Sequence, residues 1–513
     1  PGLERIRSAP RREAGKPMRI LMLGWEYPPH ISGGLGTACE GLTIALARRG
    51  IEIDFLVPKL FGGEDAPHMQ LLGAASAEAY PVTLSRAAQA QTPIVDLLAA
   101  EPALGTDPIL TSAVAAEREH GTTPEPADIR MVRVPAMLKP YLDRATYQEL
   151  IRGGSIPGSE YEERAAQRRM PPMPGPAAEI TRLEHVEMPG DPAPFVEEAA
   201  GSSGEGHYGE DLFAEVARYA VSAARRVAGR KYDLVHAHDW MTFPAGIEIS
   251  LRAGAPLIAH VHSLEYDRAG RGADRDIVAV ERQGLTHATR VVAVSYYTRS
   301  LIHQVHSVPL DKISVVHNGV YARETVQAYT QQRSDTGPIV LFLGRVTFQK
   351  GPEYFVEAAA RVLKHVPDAV FIMAGSGDML PRMEALVERL GIGESFRFPG
   401  WLRGAEIERA FSTADVYVMP SVSEPFGIAP LEAMSYDRPV IVSKQSGVSE
   451  VLRNALKVDF WDVDKMASQI VALLELPELR RTIVERAREE IRHIHWDAAA
   501  EKLVPIYQSI IQA

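Results

Sequence analysis

Two series of short apolar runs, each alternating with amphipathic helical segments, constrain the fold of this chain most. The first series extends from residue 19 to 317 and the second from 339 to 443. Short apolar runs that alternate with helices are typical of buried parallel strands, because parallel strands need helical crossovers. At 513 residues the chain is also too long for one hydrophobic core. The alternation and the length together predict an α/β protein with two doubly wound, Rossmann-like domains.

Changes in composition predict the domain boundaries. Residues 1–17 are basic and predict a disordered lead, and 18–320 form the first domain. Within it, 60–210 are rich in Pro, Gly, Ala and Glu, so we expect this stretch to be largely insertion. The remaining ranges are a polar linker at 321–337, a second domain at 338–490, and a C-terminal helix at 491–513 that would pack back on the first domain.

The charge and the cysteine content disfavour several functional classes. A formal net charge of −11 argues against a general binder of nucleic acid or of membrane surfaces. The single cysteine, Cys39, cannot form an internal disulfide and fits a reducing compartment. No apolar run approaches the roughly 20 residues of a transmembrane helix, and no spacing of His, Asp or Cys suggests a zinc site. We expect a cytoplasmic protein without a bound metal.

The most informative local stretch joins a strand to a helix around Glu424. Residues 421–435 read Ser-Val-Ser-Glu-Pro-Phe-Gly-Ile-Ala-Pro-Leu-Glu-Ala-Met-Ser. Pro425 and Gly427 keep Glu424 in a loop, where the carboxylate has no use as a helix cap. Glu432 follows in the first turn of a helix, where it is either a helix cap or a ligand-binding group. A strand, a tight loop and a helix N-terminus together suit a negatively charged ligand.

Two further loops of the second domain follow predicted strands. Residues 344–351 contain Arg345, which offers a planar fork of donors, and Lys350, a point charge; this pairing is expected for a diphosphate. Gly375 opens a Gly-Ser-Gly-Asp turn that either cradles a base or ribose or is only a tight turn.

In the first domain, polar residues follow the ends of predicted strands. Gly33-Gly34-Leu35-Gly36 precedes a helix predicted at 37–49, an arrangement that brings backbone N–H groups close to a ligand. Later strands end in His238-Asp239-Trp240 and in His262-Ser263, and open α/β sheets place ligand-binding groups there. His260 and His262 share one face of their strand. His236 and His260 lie within strands and are expected to be buried, whereas His262 is either structural or catalytic.

Together, these motifs resemble the retaining, nucleotide-sugar-dependent glycosyltransferases with the GT-B fold. The segment from Ser423 to Ala433 is similar to their paired-glutamate signature, 344–351 to their donor-diphosphate loop, and 33–36 to their N-terminal glycine loop. His-Ala-His-Asp-Trp at 236–240 resembles a segment of glycogen and starch synthases. Ile31-Ser32 and Ala429 depart from the glycogen synthase pattern and point toward the broader glycosyltransferase family 4.

The resemblance implies a role for each matching residue. Arg345 and Lys350 would neutralise the leaving nucleotide diphosphate, Glu424 would face the donor sugar, and His262 would favour its developing oxocarbenium character. The residues implied at the donor are Gly34, Gly344, Gly375, Phe426, Gly427 and Glu432. Asp239 and Trp240 would lie on the acceptor or sugar side, and no metal is implied.

The function that follows is transfer of a hexose such as glucose, with retention, from ADP- or UDP-glucose to a glucan or another saccharide. Glycogen-synthase-like elongation of an α-glucan is the sharper form of this hypothesis. A sucrose- or trehalose-type transferase with a small acceptor and a non-catalytic nucleotide-sugar-binding subunit remain alternatives. A nucleotide-sugar epimerase on the same fold is disfavoured, because the glutamate pair is a feature of transferases.

Overall fold

The computed structural model describes residues 17–29, 34–60, 62–74, 210–321 and 337–512. The predicted disordered lead, most of the predicted insertion at 60–210 and most of the predicted linker at 321–337 lie outside these residues. Those predictions are not tested. Within the described residues, no helix combines the length and apolar character needed to cross a membrane.

The first domain contains a seven-stranded parallel sheet with the order β3-β2-β1-β4-β5-β6-β7. Its strands are β1 Arg19–Leu23, β2 Glu52–Val57, β3 Gln70–Gly73, β4 Leu234–His238, β5 Leu257–Val261, β6 Arg290–Ala293 and β7 Ile313–Val315. The strand order reverses between β1 and β4. In open α/β sheets, ligands bind outside the carboxyl ends of the strands at such a reversal.

The helices described in this domain include one whose start differs from the prediction. They are α1 Gly34–Ala47, α2 Glu210–Arg226, α3 Phe243–Ala253, α4 Glu265–Ala269, α5 Arg275–His287 and α6 Tyr296–His306. The prediction that the helix begins at Thr37, after a glycine loop, is wrong, because Gly34 and Gly36 already lie in its first turn. The first N–H groups of a helix have no partner within it. The Gly36 amide obtains one by donating to the Glu26 carboxylate at 3.2 Å.

The second domain contains a six-stranded parallel sheet with the order β10-β9-β8-β11-β12-β13. Its strands are β8 Ile339–Leu343, β9 Val370–Ala374, β10 Phe396–Gly400, β11 Val416–Met419, β12 Val440–Ser443 and β13 Leu456–Val458. Its helices are α7 Pro352–Val362, α8 Leu380–Arg389, α9 Ala405–Thr413, α10 Ala429–Ser435, α11 Val448–Val451, α12 Val463–Glu475 and α13 Pro477–Ile491. The order reverses between β8 and β11, and the predicted two doubly wound sheets are confirmed.

The last helix, α14 (Trp496–Gln512), completes the core of the first domain. Its Trp496, Leu503 and Tyr507 pack into one buried cluster with residues of β1, β2 and α1. The approach to α1 is close, since a methyl group at Gly41 would lie 2.3 Å from the Trp496 ring. Burying large apolar side chains contributes about 1.5–3 kcal/mol each, so this helix is part of the first domain although it follows the second in sequence.

Candidate active site at the two strand-order reversals

The loops after β8 and β11 meet at the strand-order reversal of the second sheet through an ion pair. The Lys350 ammonium lies at the end of the short 3-10 turn Phe348–Lys350 and donates to Glu424 Oε2. Ser421 Oγ donates to the same carboxylate oxygen at 3.1 Å. The Glu424 side chain is only 8% exposed, so these partners take the place of solvent around the carboxylate. These partners give Glu424 a structural role in its loop, and its contact with the donor sugar stays a prediction.

Gln349 ties the same two loops together beside this pair. Its side-chain oxygen accepts from the Arg345 guanidinium at 2.8 Å, and its backbone oxygen accepts from the Val422 amide at 2.9 Å. Gln349 is buried, at 3% exposure. It was not predicted as a site residue, because an amide side chain between basic residues carries no sequence signal of its own. It fixes the guanidinium of Arg345 relative to the Glu424 loop.

The turn at Gly375 is packed against the loop after β8. Gly375 has φ of 149°, and a methyl group there would lie 1.8 Å from the Gly344 carbonyl oxygen. The Val346 amide donates to the Ser376 carbonyl at 2.9 Å. A close approach of two backbones at positive φ requires glycine. The turn therefore has a structural use, and its contact with a donor remains a prediction.

We expect Gly375→Ala to destabilise the protein by about 3 kcal/mol, from backbone strain and steric overlap. Gly344→Ala is the matched control, because a methyl group at Gly344 meets no atom of the described residues within 4 Å. Thermal unfolding of both variants tests this expectation. Equal unfolding temperatures would show that the two loops are not packed as described.

The remaining residues predicted at the donor lie on or near α10. Phe426 is 2% exposed, and its carbonyl accepts from the Val448 amide at 2.7 Å. Gly427 follows at φ of 95°. Glu432 lies in the first turn of α10 and is half-buried, so the helix cap and the ligand-binding group both remain compatible with its position. Gly34 lies in the first domain, at the start of α1.

In the first domain, Asp239 has a strained backbone at the end of β4. Its φ of 60° and ψ of 168° fall in a region that is nearly restricted to glycine and costs about 1–3 kcal/mol. Its Oδ1 accepts from the His262 and Ser263 amides at 2.7 and 3.3 Å, and Arg268 lies 3.5 Å from Oδ2. Asp239 is 1% exposed. The structure places it behind His262, holding the end of β5.

Trp240 is also 1% exposed, and its ring centroid lies 5.7 Å from that of Phe213. The family resemblance implies that Asp239 and Trp240 lie on the acceptor or sugar side. In this structure both side chains are buried. Their direct contact with a sugar remains a prediction.

Four histidines on β4 and at the end of β5 form two hydrogen-bonded pairs. His236 Nε2 lies 3.1 Å from His260 Nδ1, and His238 Nδ1 lies 2.9 Å from His262 Nε2. Tyr507 of α14 bonds the other nitrogen of His236 at 2.7 Å. Burial lowers the pKa of all four imidazoles, to about 3 for His236, so these rings are neutral at pH 7.

Three of these histidines could in principle hold a metal ion. One nitrogen each from His236, His238 and His260 can be chosen so that all three lie within 4.8 Å of one another. The sequence predicts no such site, because the three histidines come together only by strand pairing. Two of the rings are already hydrogen-bonded to each other, and all three are buried. A doubly charged ion there would need a compensating anion, so the arrangement favours a hydrogen-bonded cluster.

Three family descriptions match successive parts of the chain. Residues 19–99 match the starch synthase catalytic domain, 186–324 match glycosyltransferase family 4, and 327–490 match glycosyl transferases group 1. An uncharacterized glycosyltransferase of Methanocaldococcus jannaschii is 32% identical over 54% of this chain and 75% of its own length. The chain belongs to the GT-B glycosyltransferases. The resemblance noted from the sequence motifs is thereby confirmed.

Other relatives of this glycosyltransferase differ in activity. A D-inositol 3-phosphate glycosyltransferase of Acidothermus cellulolyticus is 27% identical, covering 68% of this chain and 80% of the relative. The glycogen synthase of Mycobacterium tuberculosis is 25% identical, covering 54% and 68%. Sucrose-phosphate synthase of Thermosynechococcus elongatus shares the fold, with a TM-score of 0.61 and 18% identity over 96% of this chain and 99% of the other.

The two domains of the glycosyltransferase contact each other next to Glu424, through residues that were not predicted as site residues. Ser423 Oγ donates to Asp267 Oδ1 of α4 at 2.6 Å and lies 2.8 Å from the hydroxyl of Tyr297. Ser295 Oγ donates to the Pro425 carbonyl at 2.6 Å. In the sequence, Asp267 stands out only as an acidic residue in a helical turn that follows His262. Its partner lies in the other domain and cannot be read from local sequence.

Burial raises the pKa of Asp267 to about 6, although hydrogen bonds from Ser423 and Leu264 and the charge of Arg268 oppose the shift. A carboxyl whose folded pKa is raised contributes stability that is present below its unfolded pKa and is lost as the pH rises through about 6. Asn cannot ionise. We therefore expect Asp267→Asn to gain stability relative to wild type between pH 4 and pH 7, by on the order of 2–3 kcal/mol.

Chemical denaturation of both proteins at several pH values measures this difference. Asp233→Asn is a useful control, because that carboxylate accepts a hydrogen bond from the backbone amide of Arg19 within the first domain. A stability difference between Asp267→Asn and wild type that is independent of pH would contradict the expected ionisation.

Proposed function

We propose that this glycosyltransferase transfers a hexose, with retention, from a nucleoside-diphosphate sugar to a saccharide acceptor. The observation that carries the proposal is the Lys350–Glu424 pair at the strand-order reversal of the second sheet, beside Arg345. Cations and a carboxylate in one place suit a reaction in which negative charge develops on the leaving diphosphate while positive charge develops on the sugar. Glucose from ADP- or UDP-glucose, and a glucan acceptor, are the specific substrates we propose.

The basic residues would act on the leaving group. Departure of a nucleoside diphosphate increases negative charge on its phosphate oxygens, and fixed cations stabilise that charge in the transition state. Arg345 is held by Gln349 at 2.8 Å, so its planar donors are oriented before the donor binds. Lys350 is held by Glu424. With two cations in place, the reaction does not require a metal ion.

The carboxylate and the imidazole would act on the sugar. Positive charge develops at the anomeric carbon as the leaving group departs, and Glu424 can compensate for it. His262 lies half-buried at the end of β5, fixed there through its backbone by Asp239 at 2.7 Å. The backbone of Phe426 and Gly427 would hold sugar hydroxyls, and Glu432 would bond the ribose. Gly34, Gly344 and Gly375 would let the backbone approach the donor.

The similar proteins support this substrate class. A structure of Anabaena HepE in complex with UDP-glucose has a TM-score of 0.56 over 96% of this chain, at 15% identity. The match of residues 19–99 to the starch synthase catalytic domain favours a glucan acceptor. The D-inositol 3-phosphate glycosyltransferases favour a second candidate, in which the acceptor is a small polar molecule.

Release of nucleotide diphosphate from a panel of ADP-, UDP- and GDP-sugars tests the proposal. Each donor is offered alone, with glycogen and with small sugar or inositol phosphates, in the presence and absence of EDTA. We expect one glucose donor to react with glycogen, with unchanged rate in EDTA and an α-linked product. Reaction only with small acceptors would select the second candidate, and donor binding without any turnover would identify a non-catalytic subunit.

A further inference from the structure

We propose that His238 is a positioning residue that fixes the tautomer of His262, so that His262 presents its Nδ1–H as a hydrogen-bond donor to the donor sugar. This inference rests on the proposed function, because it assumes that His262 faces the substrate. It adds the direction of the hydrogen bond and the residue that sets it. His238 orients the His262 ring and does not itself contact the reacting atoms.

The geometry links the two rings across the sheet. His238 is the last residue of β4, and His262 follows directly after the neighbouring strand β5. The two rings are close enough for a hydrogen bond, since His238 Nδ1 lies 2.9 Å from His262 Nε2. The His238 ring is fully buried and stacks on His236 with a centroid separation of 4.4 Å. Its other nitrogen, Nε2, is buried and has no hydrogen-bond partner among the residues that the structure describes. Within those residues, the His238 ring therefore makes one hydrogen bond, to His262.

The position of the proton on His238 follows from this asymmetry. Burial and the neighbouring imidazoles of His236 and His262 lower the pKa of His238, so the ring is neutral and carries one N–H. With the proton on Nε2, a buried N–H donor would have no acceptor, which is rare in proteins. With the proton on Nδ1, the same N–H donates to His262 Nε2. The second arrangement is favoured.

His262 must then accept at Nε2 and carry its own proton on Nδ1. Burial lowers the pKa of His262, with Asp239 opposing the shift, so this ring is also neutral. Nδ1 of His262 has no hydrogen-bond partner within the part of the chain that the structure describes. Asp239 fixes the backbone of His262 at 2.7 Å. The ring therefore offers an N–H donor, and it cannot accept a proton from a sugar hydroxyl at that atom.

The tautomer can be observed directly. In full-length protein labelled with ¹⁵N-histidine, ¹H–¹⁵N correlation spectra distinguish the Nδ1–H form from the Nε2–H form of each neutral ring. The His262 signals are assigned by their loss in His262→Ala. We expect the Nδ1–H form for His262 and for His238. An Nε2–H form of His262 in the wild-type protein would overturn the proposal whatever the activity of the enzyme.

Two substitutions at His238 separate its hydrogen bond from its packing. In His238→Asn the side-chain amide N–H occupies the place of Nδ1–H, whereas His238→Leu has no donor. We expect the leucine variant to lose the preference of His262 for the Nδ1–H form and to lower kcat/KM for the donor about tenfold, the effect of one misplaced hydrogen bond. The asparagine variant should retain both. Equal losses in the two folded variants would contradict a positioning role.

His236→Asn is the matched control, because His236 belongs to the same buried cluster but bonds His260 and Tyr507. The tautomer of His262 should be unchanged in it. The proposed function can fail separately. If the tautomer of His262 depends on residue 238 but the protein turns over no nucleotide sugar, the contact between the two histidines is supported and only its use in catalysis is refuted. A bound metal ion found by elemental analysis would overturn the hydrogen-bonded cluster itself.

Discussion

Replacing Glu424 with glutamine is expected to lower turnover of the nucleotide sugar about 100- to 1,000-fold, the effect of losing one preorganised charge in an active site. Glutamine keeps the size of the side chain and can still accept a hydrogen bond from Ser421, which lies 3.1 Å from the carboxylate. It removes the negative charge that faces Lys350 and, in the proposed reaction, the developing positive charge of the sugar. The fold should therefore persist while the chemical step slows.

Steady-state kinetics with the donor found in the panel measures this effect, with thermal unfolding as a check on the fold. Glu432→Gln is the matched control, because Glu432 lies in the same segment but in the first turn of α10. If Glu432 binds the ribose, the Glu432→Gln variant should raise KM for the donor about tenfold, because one charge-assisted hydrogen bond is lost. Its kcat should be nearly unchanged. A Glu424→Gln enzyme with the full rate would refute the assignment of this loop.

Removing the cation of the pair, in Lys350→Met, is expected to lower both turnover and stability. Turnover should fall about 100-fold, because the leaving diphosphate loses a fixed charge. Stability should fall by about 1–3 kcal/mol, because the Glu424 carboxylate remains buried without its cation. The Glu424 side chain is 8% exposed and the Lys350 side chain 20%, so solvent replaces little of the lost interaction.

The double variant, Lys350→Met with Glu424→Gln, distinguishes structure from catalysis. Removing both charges should restore most of the stability, since no unpaired buried charge remains, but turnover should stay low. Lys444→Met is a control, because Lys444 pairs with Asp459 at 2.6 Å on the exposed surface of the same domain; its effect should be within about 1 kcal/mol. A double variant that regains turnover would show that the pair serves only folding.

The fold could be predicted from sequence because its signals are local. A strand buried on both faces reads as a short apolar run, and a helix has a 3.6-residue period. Most strands of the two sheets follow from that alternation. The strands β3 and β13 were not predicted, because β3 lies in the stretch expected to be insertion and β13 has only three residues. The start of α1 was misplaced, because glycines suggest a loop unless a distant acceptor such as Glu26 is known.

The candidate site was predictable only in part. Loops at the carboxyl ends of strands could be identified from Arg345, Lys350 and Glu424, since charged residues that follow apolar strands stand out in the sequence. The burial of Asp239 and Trp240 could not be predicted, because both residues follow the end of a strand and resemble ligand-binding groups there. Their positions depend on α4 and on Phe213, which are distant in sequence.

Two doubly wound sheets, their order along the chain and the loops that carry charge could all be derived from the amino-acid sequence. The pairing of those charges depends on the tertiary structure. It joined Lys350 to Glu424, His238 to His262 and Asp267 to Ser423. Each pair spans two loops, two strands or two domains, so its geometry depends on strand pairing and domain contact. Local sequence patterns report burial and period, and they carry no information about which distant side chain completes a hydrogen bond.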